Sequence, residues 1–265
     1  MAVASIAYYY RKQTEKLLTC LQSLAEDYNE ETVHNLRLVY KRIRALHKFT
    51  KSVAKRSVII EQPVKMLLEI YKKAGIIREC QINLKLLSKY YIPKDDSNDG
   101  FIRFLNEKKG KAGSQMMNRI IRMDSSTMED ARQNIFQSLA GIDEKYLKKR
   151  GVQFIRKKVR KIESLVLKGN DDTQYHKIRV HIKELIFFLK MIYKRKYLSK
   201  MQVRLDHLKN IEVLIGKWND NNILLRQLHE YFKSKHISID SSVSGYNRLI
   251  SGINHRQDVL IRNID

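Results

Sequence analysis

Over 265 residues, 52 Lys+Arg stand against 28 Asp+Glu, a net charge of +24; a soluble domain is comfortable with a few units, so this excess implies a polyanionic partner or self-repulsion. A 43% hydrophobic fraction suffices for a real core and argues against disorder. Two isolated cysteines, Cys20 and Cys80, exclude a disulfide framework and a Cys-rich zinc site and fit a reducing compartment.

Two prolines and ten glycines in the whole chain leave long stretches of helix formers with apolar residues three and four apart, and strand-like alternation is scarce. The expected class is all-α, with nine or ten helical stretches. The opening MAVASIAYYYRKQTEK lacks the apolar stretch of a signal peptide. No run of about 18 apolar residues follows, so no membrane span is expected and the cytoplasm is the expected location.

The first informative element is ETVHNLRLVYKRIRALHKF, residues 31–49. At about 100° per residue, His34, Arg37, Lys41, Arg44 and Lys48 share an arc of roughly 80°, while Leu36, Val39, Tyr40, Ile43, Leu46 and His47 cluster opposite. The stripe is about 21 Å long, which suits a row of phosphates better than one small anion. No acid occurs from Val33 to Ile60, whereas eight Lys/Arg do. A solvated helix face normally mixes signs, and like charges three or four apart repel unless an anion lies between them. Thr32 is the expected N-cap, which puts His34 in the first turn, where free N–H groups and the helix dipole attract anions.

Next comes AGIIREC, residues 74–80. Gly75 is read as a tight helix joint or cap and Glu79 as an acid in the first turn of the helix that follows. Arg78 reaches phosphate or pairs with an acid. The clearest linker is PKDDSNDG, Pro93 to Gly100; softer breaks fall at Gly110–Ser114, Asp124–Thr127, Gly169–Asp172 and Ser234–Ser244. A second acid-free run, Lys145 to Ile162, carries nine Lys/Arg, with Lys157, Arg160 and Lys161 on one side of a helix.

The chain then repeats itself. TQYHKIRVHIKELIFFLKM, residues 173–191, aligns His176 with His34, Arg179 with Arg37, Lys183 with Lys41 and Lys190 with Lys48, a spacing of 142. Thr173 is the matching N-cap. IGKWNDN, residues 215–221, sets Gly216 against Gly75 and Asp220 against Glu79, a spacing of 141. Two landmarks at nearly one spacing indicate a duplicated helical unit, with repeats of approximately 1–123 and 124–265 that need not fold independently. The copies are unequal: Glu184 stands opposite Arg42 and Ile186 opposite Arg44.

The H-x-x-R-x-x-x-K-R-x-R pattern at His34–Arg44, its echo at His176–Lys190, the G-x-x-R-E segment and the G-x-x-N-D segment together resemble the CHAD family, α-helical domains named for their histidines. The resemblance covers nearly the whole chain. It implies two four-helix bundles related by a pseudo-two-fold axis around a basic cavity or pore. It implies binding of inorganic polyphosphate, at polyphosphate granules or beside polyphosphate-metabolising enzymes; because the residues offer no catalytic set and no cofactor or metal site, the expected binding is non-enzymatic, without cofactor or metal. The binding residues it implies are His34, Arg37, Lys41, Arg42, Arg44 and Lys48, then His176, Arg179, Lys183 and Lys190. Arg78, Lys157, Arg160 and Lys161 are secondary candidates. No companion triphosphate-tunnel domain is visible, so the chain reads as a stand-alone member.

Two other function classes compete. A phosphoryl-transfer enzyme or metal-dependent phosphohydrolase needs a phosphate cradle or a carboxylate cluster, and no P-loop, Gly-rich cradle or H-E-x-x-H is present. Non-specific nucleic-acid binding fits the charge, but no helix-turn-helix or RNA-binding pattern accompanies it.

Overall fold

The computed structural model describes residues 3–26, 28–53, 61–90, 97–123, 126–139, 142–167, 172–192, 201–236 and 244–262. These form nine helices and no strand: α1 (Val3–Glu26), α2 (Glu30–Val53), α3 (Glu61–Tyr90), α4 (Ser97–Ile121), α5 (Ser126–Leu139), α6 (Glu144–Val166), α7 (Asp172–Ile192), α8 (Gln202–Lys235) and α9 (Ser244–Arg262). The all-α expectation holds. Among the described residues no helix is long and apolar enough to cross a membrane.

Apolar spacing explains the helices. In α2, Val33, Leu36, Val39, Tyr40, Ile43, Leu46 and Phe49 are buried, the i, i+3, i+4, i+7 series of a helix with one core face. His47 belongs to that side, as its place on the wheel implies. It lies 3.1 Å from the Tyr10 hydroxyl, and burial pulls its pKa down to about 4. It is a core residue that stays neutral.

Helices α1 to α4 pack in sequence-neighbour pairs, and α5 lies on α1, α2 and α3. Helices α6 to α9 form a second run, α6 on α7, α7 on α8 and α8 on α9. The two runs are joined where α2 meets α6 and where α8 meets α3 and α4. One apolar cluster joins Cys80 and Leu87 of α3, Phe101 and Leu105 of α4, Leu224 and Leu228 of α8, and Leu249 and Ile253 of α9. Phe188 of α7 sits in the core of the first run. A shared core of this kind makes the two runs one cooperative body.

Several predicted boundaries shift. Gly110–Ser114 is not a break, because α4 runs through it. Of the linker, Ser97 to Gly100 is already helical and residues 93–96 lie outside the described residues. Thr32 is not the cap of α2. Asn29 is: its Oδ1 accepts from the backbone N–H of Glu31 and of Thr32, each at 3.0 Å. Asparagine caps at least as well as threonine and here reaches two of the free donors. Thr173 lies inside α7, which begins at Asp172. His34 and His176 therefore fall beyond the first turn, and the helix-terminus argument for anion attraction does not apply to them.

Candidate polyanion-binding site

Gly75 and Gly216 are neither caps nor joints; each lies mid-helix, in α3 and α8. Each is the seat of an arginine from the preceding helix. A Cβ on Gly75 would stand 2.6 Å from Arg37 Nη1, and one on Gly216 would stand 2.9 Å from Arg179 Nη2. The two landmarks of the repeat are therefore one device: the missing side chain lets a guanidinium approach the helix where a Cβ would stand. Glu79 and Asp220, one turn further on, are likewise mid-helix residues and not first-turn acids.

What holds each arginine differs. Arg37 Nη1 donates to the Tyr71 carbonyl at 3.2 Å, and the guanidinium lies 4.5 Å from the centre of the Tyr71 ring. Tyr71 is itself stacked on Tyr40 at 4.3 Å. A ring face steadies the cation without neutralising it. Arg179 Nε instead donates to Glu212 Oε1 at 3.1 Å, and Lys183 Nζ reaches the same oxygen at 2.9 Å. Tyr71 and Glu212 are 141 residues apart, the spacing of the two glycines. The alignment contains this difference, but the sequence reading missed it because neither residue belongs to the basic pattern.

The faces of α2 and α7 share one electrostatic field. Lys41 is half-buried. Burial first, then the charges of Lys183, Arg37 and Arg179, drag its pKa down to about 7, with Glu212 opposing. Burial and then Arg179 lower Lys183, against its bond to Glu212. His34 is lowered by burial and by Arg78, Lys41, Lys183 and Arg37. Burial raises Asp220 although Arg179, Lys183 and Arg78 pull it down. Burial also raises Glu79, opposed by Arg226, Arg37 and Lys108. Like charges held in a partly dry seam suppress one another's ionisation. Five of the predicted residues thus come together: His34, Arg37, Lys41, Arg179 and Lys183. Arg78 joins them through its charge, while its Nη1 donates to Glu30 at 2.7 Å.

The others stand apart. Lys48 does cross to α7, but Glu184 holds it there together with Lys158. Burial would raise Glu184, yet its bonds with His181, Lys158 and Lys48 hold it well below the usual carboxylate range. The residue that weakened the second repeat's basic pattern is thus a clamp between α2, α6 and α7. Arg42 is half-buried, about 100° round the helix from Lys41. Arg44 is exposed, with its charge felt by Tyr40. Lys190 is exposed. His176 is exposed, 3.4 Å from Asn219 Oδ1. Lys157, Arg160 and Lys161 are exposed on α6; the lysine that α6 sends into the seam is Lys158, which the sequence reading did not single out.

Asp220 also lines an open cleft of about 620 Å³ with Leu86, Lys89, Lys217, His255 and Arg256. Among the described residues no three His, Cys, Asp or Glu side chains are grouped so as to hold a metal ion.

The CHAD domain family model matches residues 8–229, most of the chain and both arginine seats. This protein belongs to the CHAD family. A search of curated proteins gives no match. Among solved structures, the crystal structure of the CHAD domain from the plant Ricinus communis matches with a TM-score of 0.68 at 15% identity, covering 98% of this chain and 85% of that one. At that identity the likeness is one of fold, so the electrostatics of this CHAD domain must be argued from its own side chains.

Proposed function

We propose that this chain binds inorganic polyphosphate without altering it chemically, holding the run of phosphates in the seam between α2 and α7. The observation that carries the reading is Lys41, half-buried among Arg37, Arg179 and Lys183 with its pKa pulled down to about 7. Such a cluster of cations is costly in the free protein and is relieved when an anion enters. Arg37 supplies a forked contact and Lys41 and Lys183 point charges. Neighbouring phosphates on one chain share a single encounter cost, so long chains bind more tightly than triphosphate. Binding rather than hydrolysis is favoured by the acids of the seam. Glu212 and Asp220 are engaged with Arg179 and Lys183, where a phosphohydrolase would use carboxylates to hold a divalent cation. In the cell this is the activity of a cytoplasmic granule scaffold, or of a module that brings polyphosphate-metabolising enzymes to their polymer.

Calorimetry with long-chain polyphosphate and with triphosphate, at two salt concentrations, tests the reading. The expected result is chain-length dependence, a steep loss of affinity with salt, and loss of binding in the Arg37→Glu/Lys41→Glu double variant. A folded double variant that still binds long-chain polyphosphate at parental affinity overturns it.

A further inference from the structure

The strongest feature that the seam does not absorb is the opposite side of α6. That helix turns Leu147, Gly151 and Leu165 inward and sends Lys158 to Glu184. With 100° per residue and Lys145 at zero, this inward face lies near 200–240°. Lys145, Lys149, Arg156, Arg160, Lys157 and Lys161 then fall between 0° and about 160°. All six are exposed. No acid interrupts the run from Lys145 to Ile162; Glu144 and Glu163 bracket it. From Lys145 to Lys161 the outer face of α6 is therefore a convex ridge of one sign, turned away from the seam, and the exposed Glu163, again near 0° on the wheel, closes its C-terminal end.

We infer that this ridge is a second anion-binding surface, and that it takes the two phosphate backbones of a nucleic-acid duplex. The reason is width. Cations spread over about 160° of a helix some 10–12 Å in diameter span about 10–12 Å from edge to edge. A single phosphate chain needs only a row one cation wide. Two strands bordering a major groove about 12 Å across need two rows, with the helix between them. From Lys145 to Lys161 the ridge is about 24 Å long, about seven base pairs at 3.4 Å each. An anionic membrane fits less well. A helix that binds lipid inserts its apolar face, and the apolar face of α6 is occupied by α7 and α2. Contacts made only to backbones carry no sequence preference. With the seam holding polyphosphate, a reading on which the two-ligand picture rests, the chain would tether one polyanion to another.

Fluorescence anisotropy with a labelled duplex of about 24 base pairs and arbitrary sequence tests the ridge, with long-chain polyphosphate titrated in parallel. The proteins are the full chain, the outer-face variant Lys149→Glu/Arg156→Glu/Arg160→Glu and the seam variant Arg37→Glu/Lys41→Glu. All three outer positions are exposed, and the neutral set Lys149→Gln/Arg156→Gln/Arg160→Gln covers misfolding of the reversed one. The expected result is duplex affinity down by about 100-fold and its salt slope smaller by about three in the outer-face variant. Polyphosphate binding should stay within about threefold of the parent, and the seam variant should keep its duplex affinity. Duplex binding unchanged in both outer-face sets, polyphosphate lost along with duplex, tighter binding to anionic phospholipid vesicles than to duplex, or duplex binding abolished by the seam variant would each overturn the ridge. Failure of the polyphosphate reading appears separately, as polyphosphate binding that the seam variant leaves intact.

Discussion

The α2–α3 and α7–α8 half-sites share a skeleton and differ in charge. In both, an arginine lies on a glycine one helix away, with a lysine one turn beyond it. In the first, Tyr71 supports Arg37 through a ring and a carbonyl. In the second, Glu212 takes up both Arg179 and Lys183. A duplicated scaffold can thus keep its geometry while one copy retains the free charge that an anion seeks and the other spends its own on internal pairing. The first half-site should carry most of the binding energy. The largest test of the inequality is alanine at each arginine. Arg37→Ala should weaken long-chain polyphosphate binding by about 10- to 100-fold, the scale of a lost charge-assisted bond. Arg179→Ala, which frees Glu212 to oppose the ligand but removes a cation already paired, should cost about fivefold or less. Equal losses in calorimetry would mean that the two halves are equivalent.

Proton uptake is the next lever. Lys41 at about 7 stands below its ordinary 10.5, so between those values the unfolded chain binds more protons than the folded one. Stability in the absence of ligand should therefore fall as pH drops from about 10 toward 7. A bound polyanion offsets Lys183, Arg37 and Arg179 and returns Lys41 toward its ordinary value. Binding near pH 8 should take up close to one proton, and affinity should decline by up to about tenfold per unit as pH rises above 7. His34, lowered by burial and then by Arg78, Lys41, Lys183 and Arg37, adds uptake of the same sign at lower pH. Calorimetry in buffers of different ionisation enthalpy reads the proton directly, and Lys41→Arg, which cannot lose its charge, should abolish most of it. Heats independent of buffer would show that Lys41 does not face the ligand.

A smaller effect should come from the other half. Glu212→Gln removes the counter-charge of Arg179 and Lys183, and should raise polyphosphate affinity by about three- to fivefold while lowering stability by about 1–2 kcal/mol, because two neighbouring cations lose their partner. An affinity gain paired with a lower midpoint in thermal melts is the signature; a loss of affinity would mean that Glu212 positions Arg179 for the ligand.

Part of this site is legible in the sequence alone. Arg37 and Lys41 were legible because helical periodicity alone groups them, and their partners Arg179 and Lys183 followed from the spacing of 142. That α2 and α7 share one field was not legible, since it depends on how the two helix runs pack. Lys48 and Lys158 meet at Glu184 for the same reason. Arg42 came with the family pattern, yet helix geometry sets it about 100° from Lys41. Arg44 lies on the basic arc by periodicity as well as in the family pattern, and in the structure it is exposed. The cap of α2 turns on local chemistry: Thr32 stands two residues before His34, but Asn29 offers the better acceptor three residues earlier. The glycines failed on the assumption that glycine ends or bends a helix. Here it makes room.

The glycine seats offer the finest test. Gly75→Ala adds a methyl 2.6 Å from Arg37 Nη1, closer than any carbon can sit, but the obstructed group is the far end of a flexible side chain. The helix itself gains, since alanine is favoured over glycine by about 1 kcal/mol in a helix interior. Arg37 must then leave the Tyr71 carbonyl and ring. Thermal stability should change by no more than about 1 kcal/mol in either direction while polyphosphate affinity falls by about two- to threefold. Gly216→Ala, whose Cβ would stand 2.9 Å from Arg179 Nη2, disturbs an arginine already engaged by Glu212 and should alter affinity still less. If both substitutions left binding untouched, the seats would matter for packing alone, and the unequal halves would owe their difference to Tyr71 and Glu212 without help from where the arginines lie.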